Sequence, residues 1–281
     1  MNLDDFITGI VLTAIFYVLF FIGKLVNDLL HKEYHLTTEL VEKDNPALAL
    51  AVVGYYFGLV LCIGGTLVGP SNGIVEDILD LCIYGILGII LLNISWFLCD
   101  RVILHTFKIS DELIRDQNQG TGAVSCGVSI ASGLIIYGSV AGEGGNVWTA
   151  TAFWAVGQIM LVLATYVYNF ITPYDIHKEI EKDNVAAGVS FAGALIATGM
   201  IVGHAAEMDF YSWSEDLPSF ILIAFSGLVL LPLVRILTDK VLLPTVKLTD
   251  EIAGQEKPNM GAAYIEAFSY IAASFAICWC I

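Results

Sequence analysis

Eight long, predominantly apolar stretches run through this chain, each long enough to cross a lipid bilayer as a helix. They fall at 6–27, 47–69, 78–99, 121–141, 147–171, 185–205, 218–238 and 260–280. A spanning helix needs about 20 predominantly apolar residues. Inside lipid, backbone N–H and C=O groups must be satisfied within a helix or a closed barrel, and the alternation of barrel strands is missing. The expected fold is therefore all-α: a polytopic membrane helical bundle of about eight transmembrane helices.

Composition points the same way. Charged residues make up 14% of the 281 positions and hydrophobic ones 57%, whereas a soluble domain carries roughly a quarter charged residues. The lipid bilayer is thus the principal partner. A net charge of −16 argues against nucleic acid, whose binding rests on neutralising phosphates with Lys and Arg. The six cysteines lie scattered in apolar runs, where Cys acts as a small hydrophobe rather than a disulfide framework. The chain opens Met-Asn-Leu-Asp-Asp, acidic where a secretory signal is basic.

The connections alternate between two chemical types. Those at 69–77, 141–146 and 206–216 contain no Lys or Arg. All twelve basic residues lie on the other set: Lys24, Lys32, Lys43, Arg101, Lys108, Arg115, Lys178, Lys182, Arg235, Lys240, Lys247 and Lys257. Positively charged loops stay on the cytoplasmic side, so both termini are expected to face outward. The outward surface then holds Asp4, Asp5, Glu76, Asp77, Asp80, Glu143, Glu207, Asp209, Glu215 and Asp216.

Sliding the sequence by 139 residues brings it onto itself. Glu42-Lys43-Asp44-Asn45 falls on Glu181-Lys182-Asp183-Asn184, and Asp100 through Glu112 falls on Asp239 through Glu251. The chain reads as two parallel tandem repeats of four helices, 1–140 and 141–281. In this gapless register Glu266 falls on Gly127. A finer repeat precedes each even-numbered span: an acidic residue, an aliphatic one, a short polar stretch, then Asn. Its copies are Glu39-Leu40…Asn45, Glu112-Leu113…Asn118, Glu179-Ile180…Asn184 and Glu251-Ile252…Asn259. Asn is a good helix N-cap, so each should start a span.

These Asn-x-Ala-type helix starts, with the Asp-x-x-Leu-Leu-Pro-x-x-x-Leu-x-Asp-Glu-Ile stretch at 239–252, resemble the DUF350 family of bacterial inner-membrane proteins. The resemblance covers essentially the whole chain, and the first copy departs from it with His105 where Pro244 stands. It implies an inner-membrane location, in which the outward termini read from the basic residues would be periplasmic, and neighbours in envelope stress or polyamine modification. It brings no catalytic residues.

Within the spans, the even-numbered helices are rich in Gly, Ala and Ser and the odd-numbered ones are bulkier. Small faces let helix backbones approach in lipid, so an inner group of even helices inside a lipid-facing ring is expected. Such a group encloses either a pathway or a close-packed core. Glu266 is the most informative single residue, because a charge near a helix centre costs roughly 2.5–3.5 kcal/mol on insertion scales. Arg235 and Tyr270 are its candidate partners. Arg235 can also pair with Asp239 at i,i+4, and Asp100, Arg101 and Asp239 read as anchors at the inner boundary. Pro232 should kink the seventh span.

His31-x-x-x-His35-x-x-x-Glu39 would line one face of a cytoplasmic helix, too few ligands for a metal site. No nucleophile elbow, zinc-binding His-Glu-x-x-His, phosphate loop or dinucleotide fingerprint occurs, so neither an enzyme nor a cofactor is expected. Two functions fit. One is a channel or transporter for small cations or protons through Glu266. The other is a scaffold that recruits a cytoplasmic protein partner through the inner junctions. A second copy of the chain is a further candidate partner.

Overall fold

The computed structural model describes residues 3–68 and 71–281. Met1, Asn2, Gly69, Pro70 and the side chains of Asp4 and Asp5 lie outside the described residues. The described chain is helical throughout: α1 (Leu3–Leu30), α2 (Pro46–Gly64), α3 (Ile74–Leu98), α4 (Ile109–Ile114), α5 (Gln119–Ala141), α6 (Val147–Ile171), α7 (Ile176–Glu181), α8 (Val185–Ala206), α9 (Trp213–Leu237), α10 (Leu248–Ala253) and α11 (Met260–Cys280). Eight of these are long and apolar enough to cross a membrane. The remaining three, α4, α7 and α10, are one-and-a-half-turn helices in the connections that carry the basic residues.

The starts of the even spans follow from their asparagines. Asn45, Asn118, Asn184 and Asn259 accept, through Oδ1, the N–H of Leu48, Thr121, Ala187 and Ala262 at 3.0, 2.9, 3.0 and 3.2 Å. Each bond satisfies one of the free donors of a helix N-terminus. In three junctions the residue before the cap is left-handed: Asp44 at φ 50°, Gln117 at 51° and Asp183 at 59°. Pro258 holds that place in the fourth, and its ring fixes φ near −65°. The fourth junction is correspondingly longer, with eight positions from Glu251 to Asn259 against six, six and five in the others. The gapless register therefore fails at α11. Cap corresponds to cap, and Glu266 stands opposite Ser125 of the first repeat, not Gly127.

The eight spans form two layers. Helices α2, α5, α8 and α11 stand in a row, each packed on the next, while α1, α3, α6 and α9 cover one side of it. All four row helices start at the junction end, so they run parallel. The expected inner group inside a ring is corrected here: the even helices make an open row ending in α2 and α11, and the odd helices make a single layer. A small-residue helix can present two flanks to two neighbours without closing a circle, and composition does not separate these cases. The other side of the row keeps half-exposed stripes, Cys126, Ile130 and Tyr137 on α5 and Val189, Ile196, Met200 and His204 on α8.

Glycines set the spacing in the row. A Cβ on Gly133 would lie 2.7 Å from Gly58 Cα, and one on Gly199 would lie 2.5 Å from Ala131 Cα. Gly138 backs onto the Gly203 carbonyl more closely still. In lipid, helix association rests on such packing rather than on hydrophobicity. No passage runs between helices this close. Gly138→Val should accordingly lower the melting temperature in detergent by the equivalent of about 1–3 kcal/mol or more, the usual cost of overpacking. Gly64→Ala, whose Cβ meets nothing within 4 Å, should melt like the wild type.

Candidate functional site

Two polar constructions stand out in this apolar bundle. The first is a chain of junctions at the inner end. Each cap asparagine also donates through Nδ2 to a main-chain carbonyl of the next unit: Asn45 to Leu113 at 2.8 Å, Asn118 to Ile180 at 2.6 Å and Asn184 to Ile252 at 2.8 Å. The same amide donates to the glutamate of its own junction, Glu39, Glu112 or Glu179, at 3.4, 2.8 and 3.0 Å. Asn259, in the last of the four units, donates to Glu251 alone among the described residues, at 2.7 Å. One side chain thus starts a span, pins its own junction and ties it to the next. The recurring Glu…Asn pair signalled the cap, but the bond between units needed the row.

Burial holds the Glu112 carboxyl above the usual carboxylate range, and the Asn118 amide offsets this only in part. Asp183, whose Oδ1 accepts the Gln119 N–H across the same interface at 3.1 Å, is raised for the same reason.

The second construction lies inside the second half. Glu266 stands seven residues past its cap, roughly 10 Å along the helix at 1.5 Å per residue, and is completely buried. Its Oε1 lies 2.5 Å from Arg235 Nη1 of α9 and accepts the Tyr270 hydroxyl at 3.4 Å. Arg235 follows Pro232, which leaves one carbonyl of α9 without its helical donor. Its guanidinium reaches Thr249 Oγ1 at 3.4 Å and lies 5.9 Å from the Tyr174 ring centre. Tyr168 of α6 faces Tyr270, with ring centres 6.1 Å apart. Seven buried side-chain oxygens have no hydrogen-bond partner among the described residues, and four of them gather here: Glu266 Oε2, Ser190 Oγ, Tyr168 Oη and Tyr174 Oη. An ion pair in a low-dielectric interior is sustained by satisfying its remaining lone pairs. This one leaves a carboxylate oxygen open beside three open hydroxyls.

Other expected residues are placed differently. Asp239 does not pair with Arg235. The π turn Thr238–Leu242 takes it out of α-helical register, and its Oδ1 accepts the Leu248 N–H at 2.7 Å. Asp100 makes the same loop closure with Ile109 N–H at 3.1 Å. Arg101 lies 3.5 Å from Asp100 and over the Phe97 ring. Helix α1 ends at Leu30, so His31, His35 and Glu39 do not line one helix face. His31 instead packs edge-on against Trp96, ring centres 4.1 Å apart. Among the described residues no group of three potential metal ligands converges. At the outer end, a cavity of about 730 Å³ opens between α1, α3 and the loop 141–146, lined by Asp77, Asp80 and Glu143 among others.

Eight spans and a doubled four-helix unit define a multi-pass helical membrane protein of tandem-repeat construction. The sequence profile of the family described as Domain of Unknown Function (DUF350) matches residues 1–140 and again 144–281; the chain belongs to that family. No curated protein and no solved structure matches the chain.

Two outcomes follow from this geometry. Arg235→Met strands the buried Glu266 carboxylate and should cost about 3–5 kcal/mol, as breaking a buried pair does. Arg235→Met with Glu266→Leu should recover most of that loss, read by thermal melting in detergent. For Glu112, a raised folded pKa means the native state holds its proton more tightly than the unfolded chain. Its contribution therefore improves as pH falls through the folded value and is lost as pH rises. Glu112→Gln should melt at or above the wild type at pH 7.5 and lose that advantage near pH 4.5.

Proposed function

We propose that this protein moves protons or small cations across a bacterial inner membrane and carries out no covalent chemistry. Glu266 is the carrying group and Arg235 its fixed counter-charge. The observation that carries this reading is the open Oε2 of a fully buried carboxylate among the open hydroxyls of Ser190, Tyr168 and Tyr174. Ionisable residues inside spans are costly and mark ion or proton routes by default. The three other row helices hold Val52, Ser125 and Phe191 at the place of Glu266, so the charge is not a requirement of the row.

The cluster is reached from the inner end, where Thr249 and Tyr174 border it. The acidic outer loops and the cavity beside Asp77, Asp80 and Glu143 raise local cation concentration on the opposite side. Closed packing separates the two, so passage requires movement, and Pro232 of α9 supplies a break in the helix that carries Arg235. Periplasmic termini follow from the one-sided placement of Lys and Arg. The scaffold alternative draws on the charged inner junctions, but their asparagines and glutamates are already engaged in holding the row.

Reconstitution into liposomes with a trapped pH dye and an imposed potential tests the proposal. Wild-type vesicles should take up protons, or a small monovalent cation, well above protein-free vesicles. Glu266→Gln, which keeps the shape of the side chain, should cut that rate at least tenfold. Wild-type flux at the protein-free level, or a Gln variant as fast as the wild type, would sink the idea.

A further inference from the structure

Counting from each cap asparagine exposes a rule in the row. Nine residues on stand Gly54, Gly127, Gly193 and Phe268; eight on stand Val53, Cys126, Ala192 and Ala267. The glycine of each helix backs onto the position-eight residue of the next: Gly54 onto Cys126, Gly127 onto Ala192 and Gly193 onto Ala267. A Cβ on Gly127 would already lie 2.8 Å from Ala192 Cα, and the other two pairs are tighter. Small therefore meets small at each of these three contacts.

Among the described residues two positions of this pattern face no row helix, position eight of α2 and position nine of α11. These carry the pattern's only bulky residues, Val53 and Phe268, 59% and 63% exposed. The last unit departs in a second way. Its junction is longer and holds Pro258, so Glu251 and Asn259 are displaced from the spacing that ties the other units together.

A contact that joins unit to unit in one direction is heterologous, and nothing in its geometry stops it at four. Four matching units would let α11 of one copy dock on α2 of another, giving rings or filaments in the membrane plane. Soluble repeat arrays meet the same hazard with altered terminal units. We infer that Phe268 and Val53 are end-stops, which limit the row to the four units of one chain by denying docking between the ends of two copies. Phe268 is the stronger stop, because a phenyl ring cannot occupy a contact that excludes a Cβ. The inference is independent of any transport role.

The test uses the full chain at low density in liposomes. Donor dye sits at the C-terminus of one population and acceptor at the N-terminus of another, since end-to-end docking brings α11 of one copy beside α1 and α2 of the next. Wild type and Val53→Ala should show no transfer above that of an unrelated membrane protein. Phe268→Gly should raise end-to-end association at least tenfold, and Val53→Ala with Phe268→Gly should raise it further, with oligomers lengthening as density rises. Phe268→Ala stands in if the glycine variant melts early. The inference is overturned if the double variant associates no more tightly than the wild type, or if the wild type is already joined end to end.

Discussion

Four helix backbones in contact, all pointing the same way, are the constraint on which the rest of this structure depends. In lipid no hydrophobic gain draws apolar helices together, so association must come from fit. Fit here means glycine on at least one side of the tightest contacts of the row, as at Gly133 against Gly58 and Gly199 against Ala131. Once the row helices are that close, their starts are close too. The Asn45, Asn118 and Asn184 amides can then reach carbonyls 68, 62 and 68 residues further along the chain. Packing in the membrane and hydrogen bonding at its inner edge are therefore one construction.

Much of this was legible in the sequence, for definite reasons. Span number follows from hydropathy, and the gathering of basic residues at one end of the bundle from their confinement to alternate loops. The asparagine caps were legible because capping is a local interaction. What lay beyond reach was relational. Small residues on α5 and α8 say that something comes close, without saying that each helix has two neighbours or that the row stays open. The displacement of Glu266 from the gapless register depended on Pro258, whose effect is read only against the left-handed Asp44, Gln117 and Asp183 that it replaces. Arg235 had two carboxylates within plausible reach. The π turn at Thr238–Leu242, which no pattern of charges announces, turns Asp239 to the backbone and leaves Arg235 to Glu266.

Duplication has left the two halves unequal. The inner cluster of the second half holds Arg235, Glu266, Tyr168 and Tyr270, whereas the first half has Trp96 at the place of Arg235 and Ser125 at the place of Glu266. The first half fills its counterpart with His31 against Trp96, an arrangement that needs no charge. A shared backbone thus carries an aromatic packing solution once and an Arg–Glu pair once, and the difference rests on a few side chains.

The parallel row has one more consequence, an electrical one. Every α-helix carries a dipole, with partial positive charge at its start and partial negative charge at its end. At the inner edge, α2, α5, α8 and α11 all present starts, and α1, α3, α6 and α9 all present ends. Glu39, Glu112, Glu179 and Glu251 stand beneath the positive ends, and Lys43 and Lys182 pair with the first and third of them at 2.6 and 3.2 Å. The junction edge therefore sets helix starts under the row against helix ends under the covering layer, two adjoining lines of opposite partial charge. A charged headgroup arriving there meets a field with a direction across the edge, positive helix starts on the row side and negative helix ends on the covering side.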